Sequence, residues 1–138
     1  EVLAEKPDFY KALENLDLKA SSTVSRNAVM SISWDSSKLG LFEGETFNNY
    51  ELIKGMMVVS GNDAANVLAE AVSGSISDFV ALMNKRAKEL GCTGTNFANT
   101  HGLTDETHYT TAADMAKNEK ATSPLRADIR PVCGTYHI

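Results

Sequence analysis

The chain has 138 residues, enough for one domain with a real core and too few for two ordinary ones. Hydrophobic residues make up 43% and charged residues 22%, the balance of a soluble globular protein. A net charge of −5 and a pI near 5.1 exclude the basic footprint of a nucleic-acid binder, and no run approaches the roughly 18 apolar residues of a membrane span.

In chain order, "PDFYKALENLDL" (7–18) predicts a helix, with Asp8 placed as N-cap after Pro7 and Phe9, Leu13 and Leu16 on one stripe. "SSTVSRNAV" (21–29) leans towards strand around Thr23–Ser25. The polar stretch 31–47 is broken by turns at Gly40 and Gly44, and Glu45–Phe47 is expected to pair with Thr23–Ser25 as a small antiparallel ribbon. Trp34 lies in this polar stretch, and its position leaves open whether it is a surface anchor or a core plug.

From Asn48 the signals sharpen. Asn48 and Glu51 form an N-x-x-E cap opening a helix through Leu52, Ile53, Met56 and Val59. Ala64, Val67, Leu68, Ala71 and Val72 then repeat at helical spacing up to a stop at Gly74. Ser75 with Asp78 opens a third helix through Phe79, Met83 and Leu90 to Gly91, with "KRAKE" (85–89) as its solvated face. Residues 92–109 make a long Thr-, Asn- and Gly-rich loop, of a length that is usually functional or mobile. Thr111 and Asp114 cap a fourth helix, and the tail from Ser123 is irregular. Met56, Met57, Phe79 and Met83 read as core. Cys92 and Cys133 match no zinc spacing and are read as unpaired thiols of minor structural weight.

Between the first two clear helices sits a polar knot, Ser60-Gly61-Asn62-Asp63, where a helix had no need to stop. By spacing alone the knot is accounted for by N-capping of a helix starting at Asp63. It also fits one half of an active site, and the two are compatible.

"ELIKGMMVVSGNDAANVLAEAVSGSISDFVALMNKRAKELGCTGTNFANTHGLTDETHYTTAADMA" (51–116) closely resembles the low-molecular-mass penicillin-binding proteins, the serine-type D-alanyl-D-alanine carboxypeptidases. S-G-N-D-A-A, M-N-x-x-A, N-x-F, H-G-L and T-T-A-x-D-M-A occur in order, and weaker similarity covers nearly the whole chain. The resemblance implies acyl transfer: a serine in S-x-x-K attacks the D-Ala-D-Ala carbonyl of a peptidoglycan stem peptide, opposite an S-x-N motif and a K-T-G strand. It assigns Ser60 to passing a proton to the departing amine, and Asn62 to holding the substrate backbone and steadying the lysine. Gly61 lets the joint turn closely, and His101, Gly102 and Leu103 lie near the substrate rather than in the chemistry.

The implied fold is the helical portion of a β-lactamase and penicillin-binding-protein transpeptidase fold, mainly α with a small two-stranded antiparallel element, residues 1–138 forming a single partial domain. The resemblance further implies work in the cell envelope, outside the cytoplasm, with no metal or organic cofactor, no membrane contact by this segment, and β-lactam binding by the complete enzyme.

The match departs where it matters most. No serine has a lysine three positions on, "DSSK" (35–38) carrying Asp35 where the serine belongs, and no lysine precedes Thr-Gly or Ser-Gly. The chain opens at Glu1 rather than methionine. These features imply the middle of such an enzyme, bounded by its two missing motifs and inactive alone, because removing one member of a catalytic unit collapses the whole. A different reading is a wall-binding module or degenerate relative that kept the groove and lost the chemistry. A Ser60–His101 dyad with Asp105 or Asp114 lacks the strand-turn-helix presentation such serines use, and His101 with His108 lacks a third metal ligand.

Overall fold

The computed structural model describes residues 16–122. A two-stranded antiparallel ribbon joins β1 (Ser21–Thr23) to β2 (Thr46–Asn48), with Ser21 opposite Asn48, Ser22 opposite Phe47 and Thr23 opposite Thr46. The pairing is the expected one, but β1 begins two residues earlier than Thr23–Ser25. Ser25 leaves the strand because it caps a helix: its Oγ accepts the Ala28 N–H, and a short α1 (Arg26–Met30) follows that the sequence reading did not contain. The ribbon extends beyond the strands through Val24 N–H to the Glu45 carbonyl at 2.8 Å and Gly44 N–H to the Val24 carbonyl at 2.9 Å.

Helix α2 (Asn49–Val58) starts where its cap predicts, with Asn48 Oδ1 accepting the Tyr50 N–H. Helix α3 (Asn62–Ser73) ends at Gly74, whose φ of +84° is the left-handed stop that glycine adopts without a side-chain clash. Ser75 caps α4 (Ile76–Glu89) by accepting the Asp78 N–H, and Thr111 Oγ1 accepts the Asp114 N–H at the start of α5 (Ala112–Thr122). Most of the expected helix over 7–18 lies outside the described residues. Its last part, Leu16–Leu18, is irregular and not helix, with Asp17 Oδ1 accepting the Lys19 N–H.

Helix α3 is the centre of the unit and packs on α1, α2, α4 and β1. Leu16, Val24, Ala28, Leu52, Ala64, Val67 and Leu68 form one core around it. Each fully buried aliphatic side chain there contributes about 1.5–3 kcal/mol of transfer free energy. Met83, Ala87, Cys92 and Phe97 form a second, smaller core under the long loop, with Phe79 packed against it. Among the methionines expected in the core, Met57 is the exception: it is 46% exposed, with Val58 and Val59 beside it, because the end of α2 is apolar on both faces and only one meets α3. Trp34 is 86% exposed, which settles it as a surface residue. In "KRAKE", Arg86 is buried and pairs with Glu89, so that face is only partly solvated. Among the described residues no helix is long and apolar enough to cross a membrane.

Candidate active site

The polar knot is the joint between α2 and α3, and it does not cap by side chain. Helix α3 begins at Asn62, its N-cap is Gly61, and no side-chain cap hydrogen bond is made. Ser60 is exposed and stands at φ +57°, the one non-glycine residue with positive φ among the described residues. A left-handed backbone at a residue with a Cβ costs on the order of 1 kcal/mol and persists only where the surroundings impose it. The turn therefore falls on Ser60, not on Gly61, which has an ordinary φ of −68°. Gly61 serves close approach instead: a Cβ there would meet Leu39 Cγ at 3.2 Å.

The joint is clamped from above by residues 37–41. Asn62 N–H donates to the Ser37 carbonyl at 3.0 Å, and Ser37 Oγ donates to the Val59 carbonyl at 2.5 Å. The Gly55 carbonyl accepts both Val59 N–H and Gly61 N–H. The Asn62 residue is 6% exposed, and its carboxamide has no hydrogen-bond partner among the described residues. The polar atoms of that carboxamide are not among the fully enclosed unpaired ones, so it carries no burial penalty and, like the exposed Ser60 side chain beside it, remains open to a further partner.

The long loop is ordered by side chains rather than by regular structure. An isolated bridge pairs Asn96 with Tyr109. Asn84 on α4 grips Phe97 on both sides, accepting its N–H at 2.7 Å and donating to its carbonyl at 2.9 Å. Asp114 accepts Gly94 N–H and Thr95 Oγ1–H; the Thr95 bond foremost holds its carboxyl below the ordinary carboxylate range, against the opposing effect of burial. Thr100 Oγ1 donates to Asn66 Oδ1 on α3, and Asn66 Nδ2 donates to the Ala28 carbonyl on α1.

His101, Gly102 and Leu103 form a tight turn on Asn99, whose Oδ1 accepts Gly102 N–H at 2.7 Å and whose Nδ2 donates to the Leu103 carbonyl at 2.8 Å. Leu103 N–H donates to His101 Nδ1, and burial, assisted by neighbouring His108, lowers the His101 pKa. His101 and Leu103 line an open cleft of ≈ 360 Å³ with Ser31, Ser33, Asn66 and Asp105, whereas Gly102 is exposed and does not line it. Ser60 and Asn62 do not line this cleft. What connects the two groups is α3 itself: Asn62 and Asn66 are four residues apart, hence on one face about one turn from each other. No hydrogen bond joins Ser60 to His101, and Asp105 is occupied by Thr107.

The profile of the D-alanyl-D-alanine carboxypeptidases, peptidase family S11, matches residues 9–128. The chain belongs to this family. It is 44% identical over 126 residues to the D-alanyl-D-alanine carboxypeptidase DacF of Bacillus subtilis, covering 91% of this chain and 32% of that protein. The crystal structure of D-alanyl-D-alanine carboxypeptidase DacD from Francisella tularensis superposes with a TM-score of 0.72 at 36% identity, over 87% of this chain and 28% of that one. Penicillin-binding protein 5 from Haemophilus influenzae gives 0.74 at 34% identity, over 87% and 34%. The chain thus spans about a third of the carboxypeptidases it matches. Its fold is the helix-rich portion of the penicillin-binding-protein transpeptidase fold with a two-stranded antiparallel ribbon.

Asp63, Asn66, Asn84 and Ser37 hold this carboxypeptidase segment together, and sequence reading passed over them. Asp63 and Asn66 had one visible signal, being polar residues within a helix whose first two turns are otherwise apolar or buried. Asn84 and Ser37 had none, because their partners lie 13 and 22 residues away.

Proposed function

We propose that the complete protein is a serine-type D-Ala-D-Ala carboxypeptidase of the cell envelope, acting on peptidoglycan stem peptides by acyl-enzyme chemistry. Residues 1–138 are then one partial domain, the S-x-N wall of the cleft. The nucleophilic serine, its lysine and the K-T-G strand lie outside this sequence, so the segment alone does not turn over substrate. Ser60 Oγ returns a proton to the leaving D-alanine amine, and the Asn62 carboxamide holds the substrate backbone and the catalytic lysine. His101, Gly102 and Leu103 border the path of the peptide. The complete enzyme is acylated by β-lactams.

The observation that carries this reading is the pairing of an exposed, left-handed Ser60 with an Asn62 carboxamide that no described residue satisfies. Left-handed strain at the joint is a cost that a purely structural turn would shed, since glycine at 60 relieves it, and the carboxamide beside it is left uncommitted for a substrate. The test is covalent labelling of the complete protein by a fluorescent penicillin. A single labelled serine outside residues 1–138 is expected, with labelling slowed in Ser60→Ala. A folded complete protein that takes no label sinks the reading.

A further inference from the structure

Asp63 follows directly on the S-x-N stretch and is the residue on which the clamp over the joint converges. It is 1% exposed, with no ion-pair partner among the described residues. Its Oδ1 accepts Leu39 N–H and Ala64 N–H, both at 2.9 Å, and its Oδ2 accepts Gly40 N–H and Leu41 N–H, both at 3.0 Å. Three successive N–H groups turned to one point form the kind of concavity that binds an anion, and here the anion is the chain's own carboxylate. Its place in the first turn of α3 adds the favourable end of the helix dipole.

The segment held in this way is the one that shapes the joint. Ser37 binds Asn62 N–H and the Val59 carbonyl on either side of Ser60. The Leu39 side chain lies over both glycines flanking the turn: a Cβ on Gly55 would fall 2.4 Å from Leu39 Cδ1, and one on Gly61 3.2 Å from Leu39 Cγ. The Ser60 side chain makes no hydrogen bond to a described residue, so the direction of its Cα–Cβ bond is set by backbone alone. That backbone is left-handed only because its surroundings hold it so. We propose that Asp63 is the positioning residue of the Ser60–Gly61–Asn62 joint, fixing both side chains through residues 37–41 without touching substrate. The proposal rests on the carboxypeptidase reading above and adds to it what keeps the second wall of the cleft in register.

The test uses the complete protein and Asp63→Asn, which keeps the shape and replaces an acceptor oxygen by an amide that cannot accept. Penicillin acylation rates and kcat and KM on a D-Ala-D-Ala peptide are measured per folded molecule, counted by saturating label well below the melting temperature. Roughly tenfold or greater loss in acylation rate and kcat/KM per folded molecule is expected, with partial recovery in Asp63→Glu, since displacement of a reacting group by about 1 Å is costly. A variant with lower melting temperature but unchanged rates per labelled site overturns the proposal, because a merely structural residue changes how much protein is folded and not how fast it reacts. Should Asp63→Asn fail to fold, Leu39→Ala removes a half-exposed part of the same clamp, and unchanged rates there overturn it equally. Absence of label on the wild type is a different result and removes the carboxypeptidase reading itself.

Discussion

Thr100 in the long loop donates its hydroxyl to Asn66 on α3 at 2.6 Å, and the same Asn66 donates to the Ala28 carbonyl on α1 at 3.0 Å. One buried amide thus ties three parts of the chain, and it does so one helical turn from Asn62. Asn66→Ala leaves the Ala28 carbonyl and the Thr100 hydroxyl without it. The expected cost is about 2 kcal/mol in urea unfolding of the complete protein, the usual penalty for stranding buried polar partners. Amide hydrogen exchange should quicken around Thr100–Leu103, and unchanged exchange there would show that Asn66 does not anchor the loop.

Ser60 and glycine should trade stability against reaction. Ser60→Gly relieves the left-handed strain and is expected to raise stability by about 0.5–1 kcal/mol, while Ser60→Ala leaves the strain in place and does not. Both variants should slow penicillin acylation of the complete protein. Thermal melts of the pair decide it: equal melting temperatures would mean that the joint stores no strain.

Asn84 acts on Phe97 as a neighbouring strand would, with one bond to its N–H and one to its carbonyl. Asn84→Ala should destabilise by about 1–3 kcal/mol and loosen the second core, where Phe97 packs with Met83 and Cys92. Asn84→Asp is the control, since it retains the acceptor for Phe97 N–H and loses only the donor. A smaller loss than in Asn84→Ala is expected by chemical denaturation.

His101 makes the loop sensitive to acid. Burial first, and then His108, holds its pKa in the folded protein below the ordinary 6.5. The folded state therefore binds fewer protons than the unfolded one, and stability is full above about pH 6.5 and is lost as pH falls through the folded value. Protonation also removes the Nδ1 acceptor of the Leu103 N–H. His101→Gln should flatten the difference in denaturant midpoint between pH 7.5 and pH 5, and NMR titration of His108→Gln should find the His101 pKa raised. A His101 that titrates at 6.5 or above would contradict this account.

Three helix starts and one stop were legible residue by residue, whereas the start of α3 at Asn62, capped by Gly61 without a side chain, was not. Asn48, Ser75 and Thr111 each bind an N–H two or three positions on, and Gly74 takes the left-handed stop, so every partner lies within the window a local pattern spans. The order of motifs from Ser60 to Asp114 identified the family, and the family profile agrees. The α1 turn was missed because Ser25 caps and Thr23 pairs within three residues, a competition that strand propensity cannot resolve. Met57 and Arg86 changed places with expectation for a related reason, since which side of a helix is covered depends on the neighbour that packs there.

What the amino-acid order determined by itself is therefore the four longer helices from Asn49 onward and the kinship, both written in contacts between near neighbours and in residue identity. Tertiary structure alone decided that Asp63 gathers the amides of Leu39, Gly40 and Leu41, that Asn66 holds Thr100, and that Ser60 rather than Gly61 carries the left-handed turn. Those bonds join residues 22 to 34 positions apart, and a carboxylate or amide at one end has no local reason to prefer its partner until packing has excluded water and brought the two together.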